Sequence, residues 1–515
     1  MRSYLRSKVG ILLVLVLLFG PAAALAQPQG LVLLTTSDLQ GQMEPFETVV
    51  KGAKVQRGGM ARLAAVLKAA RAVHPPRTLM VATGDDLMGR YFLQFHGRAM
   101  YGAMNAAGVQ AATWGNHEFD LGPQVFVEAL KSAGFPMVVS NLTAPAGSPL
   151  AGKFSPLLML NRGGLRVGLF GLMTPDLPDI SKVQGSVRIS QDIFAAARQS
   201  VAKLKEQGAD LVVALTHIGL DLDQKLAARV AGIDVICGGH SHTLLPTGKE
   251  VLASAPDGRR TIIVQTGSRG AHVGKLTVWV DKGRVVEHQW EAIPITESIS
   301  PDPAVAEVVA AYKAQLPAAL VIARLESDLD CRRDTVRTRE AAAGNFIADL
   351  MRGQFKTDAA VLNGGNIRGD RVIPAGPLTT ADTQTMLPFG NEIDILALKG
   401  EVLWEALNWG LSGLKQGEGR FLQVSGLRFK VKAGRVQEAW VQASDGKYLP
   451  LAQDRTYSVA VTTFLADGGD GFRMLPAKAL SRKMTYVSLE SLVQAKLKDL
   501  KTISPKKEGR IIFVD

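Results

Sequence analysis

The sequence is poor in cysteine and in aromatic residues, and no apolar run beyond its N-terminus reaches membrane-spanning length. Two cysteines among 515 residues cannot form the disulfide framework of a small secreted scaffold. The aromatic share is only 6%, and no basic run is interleaved with aromatic residues, which argues against a nucleic-acid polymer as partner. No later segment approaches the ~18 apolar residues of a membrane helix. The hydrophobic share of 47%, without low-complexity blocks, is typical of a globular chain.

The two cysteines lie far apart in the sequence. Cys237 ends an apolar run that predicts a buried strand, whereas Cys331 lies in a charged stretch. A disulfide between them would require a close approach of the two predicted domains. We favour two unpaired thiols, and neither has the charged surroundings that activate a catalytic cysteine.

The N-terminus has the features of a secretory leader. Its positive residues are Arg2, Arg6 and Lys8. The apolar run 11–19 follows, and a small-x-small cleavage site ends at Ala26. Residues 1–26 are therefore predicted to be a signal peptide, and the expected product is periplasmic or secreted; the alternative is an uncleaved N-terminal anchor. Loss of three positive charges from the net +12 leaves +9, which suits an anionic substrate.

The length of 515 residues suggests two or three domains. Residues 27–300 alternate apolar runs with amphipathic stretches, a pattern that indicates an α/β layered fold. The predicted strands are 31–34, 79–82, 111–113, 137–140, 166–171, 211–215 and 235–236. The predicted helices are 59–73, 99–107, 123–133 and 192–207. Residues 301–322 predict a linker helix, and residues 323–515 a second α/β domain.

Polar residues of the metal-binding types follow five of the predicted strands. They are Asp38, Asp85, Asn116, His217 and His240. Functional sites of open α/β sheets form at the carboxyl ends of the strands, so these side chains are expected to converge. Each alone has an ordinary explanation, such as a turn for Asp38 and a helix N-cap for Asn116. Their coincidence at five strand ends predicts a site.

A pair of divalent cations explains these residue types. A carboxylate must bridge two cations, because only an anion offsets their repulsion, while imidazole and amide oxygen complete each shell. Such a pair polarises a phosphoryl oxygen and lowers the pKa of an attacking water.

The segments Gly115-Asn116-His117-Glu118 and Gly239-His240-Ser241-His242 resemble motifs of the metallophosphoesterase (calcineurin-like) superfamily. More narrowly, the chain is similar to the 5'-nucleotidase / UDP-sugar hydrolase family. The resemblance implies one metal bound by Asp38, Gln40, Asp85 and His242. It implies a second bound by Asp85, Asn116, His217 and His240, with Asp85 as the bridge. The catalytic pair would be His117 and Asp120, and the two ions would be Mn, Zn, Mg or Co.

One position departs from the family pattern. The first motif of the family is Asp-x-His, whereas this chain has Asp38-Leu39-Gln40. A neutral amide oxygen is a weaker zinc ligand than imidazole. The first metal is therefore expected to bind more weakly, or to be a harder ion such as manganese or magnesium.

The second half of the chain resembles the C-terminal domain of 5'-nucleotidases. The matching segments begin at Arg339, Asn363, Leu387 and Phe464. The resemblance implies that Phe389 and Phe464 enclose a base and that Asp470 binds the ribose hydroxyls. It also implies that Arg339, Asn363 and Arg368 contact the phosphate or sugar end. The plainer alternatives are a core position for Phe389 and a turn at Asp470. Asn366 and Asp467 differ from the residues common in the family.

These observations predict an N-terminal four-layer α/β/β/α metallophosphoesterase domain followed by a 5'-nucleotidase-type α/β domain. The expected activity is release of phosphate from a nucleotide, by a protein that is expected to be monomeric and to lack a membrane span once its leader is removed. Alternatives of the same fold are a 2',3'-cyclic nucleotide phosphodiesterase, a UDP-sugar hydrolase and a thiosulfate-conjugate hydrolase. An alternative of another class is a nucleotide-binding protein with a weakened metal site.

Overall fold

The computed structural model describes residues 28–50, 53–183 and 185–514, and the predicted signal peptide lies outside them. Within these ranges the chain forms an N-terminal domain that ends with the helix Pro303–Lys313 and a C-terminal domain that begins with the strand Val321–Leu325. No helix of the described residues is both long and apolar enough to cross a membrane.

Two mixed sheets form the centre of the N-terminal domain. Across the first sheet the strands are Arg284–Pro294, His272–Asp281, Gln29–Thr36, Thr78–Ala82 and Ala111–Ala112. Across the second they are Val251–Ser254, Arg260–Val264, Val235–Cys237, Leu211–His217, Leu165–Met173 and Leu157–Arg162. The smaller pairs are Phe46–Val50 with Ala53–Arg57 and Leu142–Thr143 with Arg188–Ile189. Within each sheet the strands that precede the predicted metal ligands run parallel to one another, so their carboxyl ends lie on one edge of that sheet.

Side chains alternate between the two faces of each sheet and so build four layers. In the first sheet Leu31 and Leu33 face the second sheet, whereas Val32 and Leu34 face helices. In the second sheet Phe170 points away from the first sheet and packs under its own helices. The predicted α/β/β/α layering is confirmed.

The four helices predicted for residues 27–300 are found with nearly the expected bounds, and three further helices, Gly89–Phe95, Leu177–Ile180 and Leu220–Arg229, were not predicted. The helices of the N-terminal domain are Met60–Val73, Gly89–Phe95, Arg98–Ala107, Pro123–Leu130, Leu177–Ile180, Ile193–Glu206, Leu220–Arg229 and Pro303–Lys313. The side chain of Asp192 caps the helix Ile193–Glu206 by accepting from the N–H of Ala195 at 2.9 Å. The strand predicted at 137–140 is wrong, because Met137 and Val138 form only isolated bridges to Ala112 and Ser155.

The predicted linker helix is shorter than expected and belongs to the N-terminal domain. It ends at Lys313, and its buried Val305 joins the core beneath the helices Met60–Val73 and Arg98–Ala107. Asp302 caps its first turn and also binds Lys68 at 2.8 Å. The residues that connect the domains, 317–320, are all exposed and form no helix.

The C-terminal domain is built on a five-stranded sheet. In order its strands are Leu422–Ser425, Ala359–Asn363, Thr456–Thr462, Glu392–Lys399 and Ser481–Ser488. The remaining sheets are Tyr448–Pro450, Arg435–Gln442, Leu427–Lys432 and Ile511–Phe513; Gly376–Thr379, Val321–Leu325 and Thr502–Ile503; and Leu329–Asp330 with Val372–Ile373. The helices are Arg333–Val336, Ala342–Phe355, Thr380–Met386, Gly400–Ser412, Thr463–Ala466, Met474–Lys478 and Leu489–Leu500. Short 3-10 turns of this domain are Gly364–Asn366, Leu414–Gln416 and Gly469–Gly471, and those of the N-terminal domain are Pro75–Arg77 and His117–Phe119.

Both thiols are buried and free, in agreement with the favoured interpretation of the sequence. Cys237 lies between the two N-terminal sheets, and Cys331 lies in the C-terminal core. Burial raises the pKa of each thiol to about 12, so neither is a nucleophile at neutral pH.

Candidate active site

Seven side chains predicted as metal ligands meet at the strand edge of the N-terminal domain. They are Asp38, Gln40, Asp85, Asn116, His217, His240 and His242. The structure groups Asp85, His217 and His240 in one cluster, and Asp38, Asp85 and His242 in another. In each cluster the ligand atoms lie within 4.8 Å of one another. Asp85 belongs to both clusters, which is the arrangement expected of a bridging carboxylate.

The spacing of the donor atoms fits two ions. Atoms that bind one ion at about 2.0–2.1 Å lie roughly 3.0–3.4 Å apart at common coordination angles. The Nε2 atom of His217 lies 3.2 Å from Oδ2 of Asp85, and the corresponding distance from His242 to Oδ1 of Asp38 is 3.5 Å. Nε2 of His217 is buried and has no hydrogen-bond partner among the described residues. The donor set therefore has the composition and spacing of a two-metal site.

The remaining atoms of the imidazoles and carboxylates are fixed by hydrogen bonds. Nδ1 of His217 lies 2.8 Å from the carbonyl oxygen of Thr83, which leaves Nε2 as the metal-facing atom. Both Asp38 oxygens accept from the N–H of His240, at 3.0 and 3.2 Å. The Oδ1 atom of Asn116 lies 3.0 Å from Nδ1 of His240 and makes no helix cap. The capping explanation of Asn116 is therefore excluded.

The backbone at five of these residues is left-handed. The φ angles are 51° at Asp38, 50° at Gln40, 54° at Asp85, 77° at His240 and 57° at His242. Residues other than glycine rarely adopt this conformation, and such residues cluster at functional sites. The loops are thus held in a form that turns each side chain toward one point.

Gln40 takes part in the site although it is not a histidine. Its Nε2 atom lies 2.7 Å from Nε2 of His242, beside the carboxylate of Asp38. Rotation of the amide by half a turn puts Oε1 at the same place, where it can bind a cation. The side chain therefore stands where the family motif has its imidazole.

Glu118 joins the two loops that carry the bridging carboxylate and Asn116. Its carboxylate accepts from the N–H groups of Asp85 at 3.1 Å, Asp86 at 2.8 Å and Gly115 at 2.7 Å. A Cβ atom added to Gly115 would lie 2.2 Å from the N atom of Asp85, so this close approach requires glycine. The sequence contained Glu118 within a motif but gave no sign of this role.

Opposite charges in the site stabilise each other. Burial disfavours the ionised form of Asp85, yet the imidazoles of His217 and His117 outweigh it and lower the pKa of Asp85 well below its usual range. Burial likewise opposes the charged form of His217, but Asp85 raises its pKa to about 10. Burial dominates at Asp38 and raises its pKa to about 7.

His117 connects the metal ligands to the C-terminal domain. Its Nδ1 atom lies 2.9 Å from Oδ2 of Asp120, and its Nε2 atom lies 3.0 Å from Nη2 of Arg368. The His117 ring also stacks on Phe389, with 5.6 Å between the ring centroids. Burial disfavours the imidazolium, but Asp120 and Asp85 together raise the pKa of His117. The structure thus places His117 and Asp120 in contact with each other, and it places His117 in contact with Arg368 and Phe389 of the C-terminal domain.

A cavity of about 780 Å³ extends from the metal ligands into the C-terminal domain. Phe389, Phe464, Asp470, Asn363 and Arg368 all line it. Both phenylalanines are half-buried rather than part of the core. The Nδ2 atom of Asn363 donates to Oδ2 of Asp470 at 2.7 Å. Asp470 has a left-handed φ of 53°, so the glycine-rich segment is a turn that presents this carboxylate to the cavity.

The structure does not bring Arg339 into this cavity. Arg339 is exposed, and its Nε atom donates only to the neighbouring Thr338 at 3.4 Å. Arg333 and Arg337 line the cavity instead. The sequence has four arginines at close spacing, at positions 332, 333, 337 and 339, and the short helix Arg333–Val336 turns the second and third of them inward.

Two further side chains of the cavity wall were not expected from the sequence. The indole N–H of Trp409 donates to the carbonyl oxygen of Asp470 at 2.9 Å, and the Arg420 guanidinium lies 4.5 Å over the indole ring. Asn366 also lines the cavity, whereas Asp467 is exposed and pairs with Arg482 at 2.6 Å. Of the two C-terminal positions that depart from the family, Asn366 belongs to the site and Asp467 does not.

Comparisons with known proteins agree with this geometry. Residues 31–244 match the family model of calcineurin-like phosphoesterases, and residues 321–477 match that of the 5'-nucleotidase C-terminal domain. The chain is 31% identical to the 5'-nucleotidase of Bos taurus, over 95% of this chain and 92% of the bovine protein.

Solved structures give the same result. A 5'-nucleotidase precursor from Thermus thermophilus is 36% identical with a TM-score of 0.89, over 94% of this chain and 99% of that one. A sulfate thiohydrolase of Thermus thermophilus shares the fold at 19% identity, with a TM-score of 0.76 over 94% of this chain and 96% of its own.

Proposed function

Since the chain belongs to the 5'-nucleotidase family of calcineurin-like phosphoesterases and is a metal-dependent phosphoric ester hydrolase, we propose that it releases phosphate from nucleoside 5'-phosphates. We further propose that it does so outside the cytoplasm, because residues 1–26 have the pattern of a cleaved leader. The observation that carries the proposal is the position of His117. It touches the bridging Asp85, at 3.7 Å, and also the C-terminal residues Arg368 and Phe389.

The ligands divide into two sets that share Asp85. Asp38, Gln40 and His242 would hold one divalent ion. Asn116, His217 and His240 would hold the other. When bound, such ions polarise the phosphoryl group and lower the pKa of the attacking water.

The protein side chains around the phosphate act by position and charge. Asp120 fixes the ring of His117 through Nδ1, and Nε2 accepts from Arg368 when no phosphate is bound. When Arg368 turns to the phosphate, the imidazolium form of His117 donates from Nε2 to a phosphoryl oxygen as negative charge develops. Asp120 and Asp85 favour that form, since they raise the pKa of His117 against the effect of burial. Arg333, Arg337 and Arg368 present planar donor groups that match phosphate oxygens.

The nucleoside end is recognised by stacking and hydrogen bonding. Phe389 and Phe464 offer flat apolar faces to a base. Stacking of this kind contributes roughly 1–3 kcal/mol per base in proteins that bind single-stranded nucleic acids. The carboxylate of Asp470 can accept two ribose hydroxyl protons. Burial raises its pKa, and Asn363 counters this by donating to it. These contacts tolerate different bases, so we expect broad nucleotide specificity.

The direct test is hydrolysis of AMP, UDP-glucose and 2',3'-cAMP with added manganese. Chromatography follows the products, which are adenosine and phosphate from AMP, UMP and glucose 1-phosphate from UDP-glucose, and 2'- or 3'-AMP from the cyclic nucleotide. AMP is expected to be the best substrate, and Asp85→Ala should fall to the background seen after metal chelation. A preference for UDP-glucose or for 2',3'-cAMP would replace the proposal by the corresponding activity. Nucleotide binding without any turnover would indicate a binding protein instead.

A further inference from the structure

A second cavity, of about 330 Å³, adjoins the predicted metal ligands. Gln40 lines it, and four of its lining residues also line the first cavity, namely His242, Arg333, Arg337 and Arg368. The side chains assigned to the nucleoside, which are Phe389, Phe464 and Asp470, line only the first cavity. The two cavities therefore meet at the predicted metal ligands, and the second leads away from them without passing the nucleoside end.

Positive charge exceeds negative charge around the second cavity. Six arginines and four carboxylates line it. Two of the carboxylates already have cationic partners, since Glu44 pairs with Lys313 and Asp382 pairs with Arg371, both at 2.5 Å. A small anion is therefore attracted into this space.

Arg269 lines the second cavity and is fixed directly beside the loop of the first metal. Its backbone N–H donates to the carbonyl oxygen of Asp38 at 2.7 Å. Its guanidinium donates to Oε1 of Gln42 at 3.0 and 3.2 Å and to the carbonyl oxygen of Gly369 at 2.8 Å. The guanidinium also lies 3.7 Å from the centroid of the Phe46 ring. These contacts hold the charged group in one place between the two domains.

The guanidinium of Arg269 has binding capacity that these contacts do not use. The three hydrogen bonds occupy three of its five N–H groups, and their acceptors are neutral oxygens. The side chain is partly exposed to the cavity. Desolvation by the surrounding protein lowers the pKa of Arg269 to about 10, although Asp370 opposes the shift. A charge that has lost water and gained only neutral acceptors is unfavourable, and a bound anion would offset that cost.

We propose that the second cavity binds orthophosphate, with Arg269 as a donor, while a nucleotide occupies the first cavity. Orthophosphate is the product of the proposed reaction, so this inference rests on the proposed function. Its charged oxygens match the planar donor groups of arginine. The second cavity thus gives the product a place to move to from the metal ligands without passing the nucleoside.

Equilibrium dialysis with labelled phosphate tests this in the full-length protein with magnesium. The wild type should bind two phosphates per chain, and the phosphonate analogue of AMP should displace only the one at the metals. In Arg269→Met the affinity for the remaining phosphate should fall about tenfold or more, as expected for lost hydrogen bonds to a charged group. Arg269→Lys keeps the positive charge and should retain part of this affinity. Arg229→Met is the matched control, because Arg229 also lies over a phenylalanine ring, at 4.8 Å, but outside the residues that line either cavity.

The wild type alone can refute the inference. A single phosphate per chain that the analogue displaces completely would show that nothing binds in the second cavity. Equal affinity in the wild type and in Arg269→Met, or equal losses in Arg269→Met and Arg229→Met, would show that Arg269 is not the donor. The proposed function is decided separately by hydrolysis of AMP, because the number of bound phosphates does not depend on turnover.

Discussion

The carboxylate of Glu118 accepts the backbone N–H of Asp85 at 3.1 Å and so fixes the loop of the bridging ligand. The same carboxylate binds the N–H of Gly115, one residue before Asn116. Glu118→Gln keeps the shape of the side chain but replaces one carboxylate oxygen with an NH2 group, which donates and cannot accept from these backbone N–H groups. We expect metal affinity to fall about 10–100-fold, as for other residues that orient metal ligands.

Manganese titration by calorimetry measures this change without relying on activity. Glu128→Gln is the matched control, because Glu128 is an exposed glutamate paired only with Lys131 in the described structure. Wild-type affinity in Glu118→Gln, at an unchanged melting temperature, would contradict the assigned role.

Gln40→His should increase retention of zinc. Imidazole is a stronger zinc ligand than an amide oxygen, and histidine is already found with a left-handed backbone at position 242, where φ is 57°. After dialysis, elemental analysis should find more zinc in Gln40→His than in the wild type. His242→Gln should have the opposite effect. Two zinc ions firmly retained by the wild type would refute the idea that Gln40 weakens the first site.

Arg337 and Arg339 provide a matched pair two residues apart. Arg337 is buried in the cavity wall, whereas Arg339 is exposed. Arg337→Met should raise the KM for nucleotide roughly tenfold or more, because a charged hydrogen bond to phosphate is lost. Arg339→Met should change the KM by less than about twofold. Steady-state kinetics with AMP check both values, and the reverse order would restore the assignment of Arg339.

Asp302→Ala should destabilise the helix Pro303–Lys313. Loss of an N-cap costs about 0.5–2 kcal/mol of unfolding free energy. A hydrogen bond from Lys68 lowers the pKa of Asp302 in the folded state, with the N–H of Val305 contributing. The stabilisation is therefore present above the ordinary carboxyl pKa and declines as pH falls through the lowered one.

Thermal unfolding from pH 7 down to pH 3 follows this effect. The difference between wild type and Asp302→Ala should narrow as the pH decreases. Asp302→Asn keeps a capping oxygen and should lose only the charged part of the stabilisation. A constant difference over the whole range would show that the carboxylate charge has no influence.

Much of the fold was predictable because the apolar residues of its helices and strands recur at the spacing of the element concerned. The helix predicted at 59–73 is found at Met60–Val73, and the strand predicted at 211–215 is found at Leu211–His217, two residues longer. Residues 137–140 have the composition of a strand but no neighbour that pairs with them continuously. Residues 314–320 continue the apolar character of a helix, yet all of them except Leu316, which packs against the N-terminal core, are exposed, and Pro317 cannot continue the hydrogen bonds of a helix.

The convergence of the predicted metal ligands could be foreseen because the strands before Asp38, Asp85, Asn116, His217 and His240 end at the same edge of their sheets. The positions of the arginines could not, since spacing alone cannot tell which side of a short helix faces a cavity. Arg337 is the C-cap of the helix Arg333–Val336 and Arg339 lies two residues beyond it, and the structure buries the first and exposes the second. Glu118 was overlooked for a related reason: its partners are backbone N–H groups, which a sequence does not display.

The left-handed backbone at five predicted ligands makes these positions demanding in two ways. A β-branched residue such as valine or isoleucine would remove the donor atom and would also strain its own main chain, whereas asparagine in place of Asp38 or Asp85 adopts this conformation readily. The site is thus encoded twice, once in the chemistry of its side chains and once in the shape that the main chain requires of them.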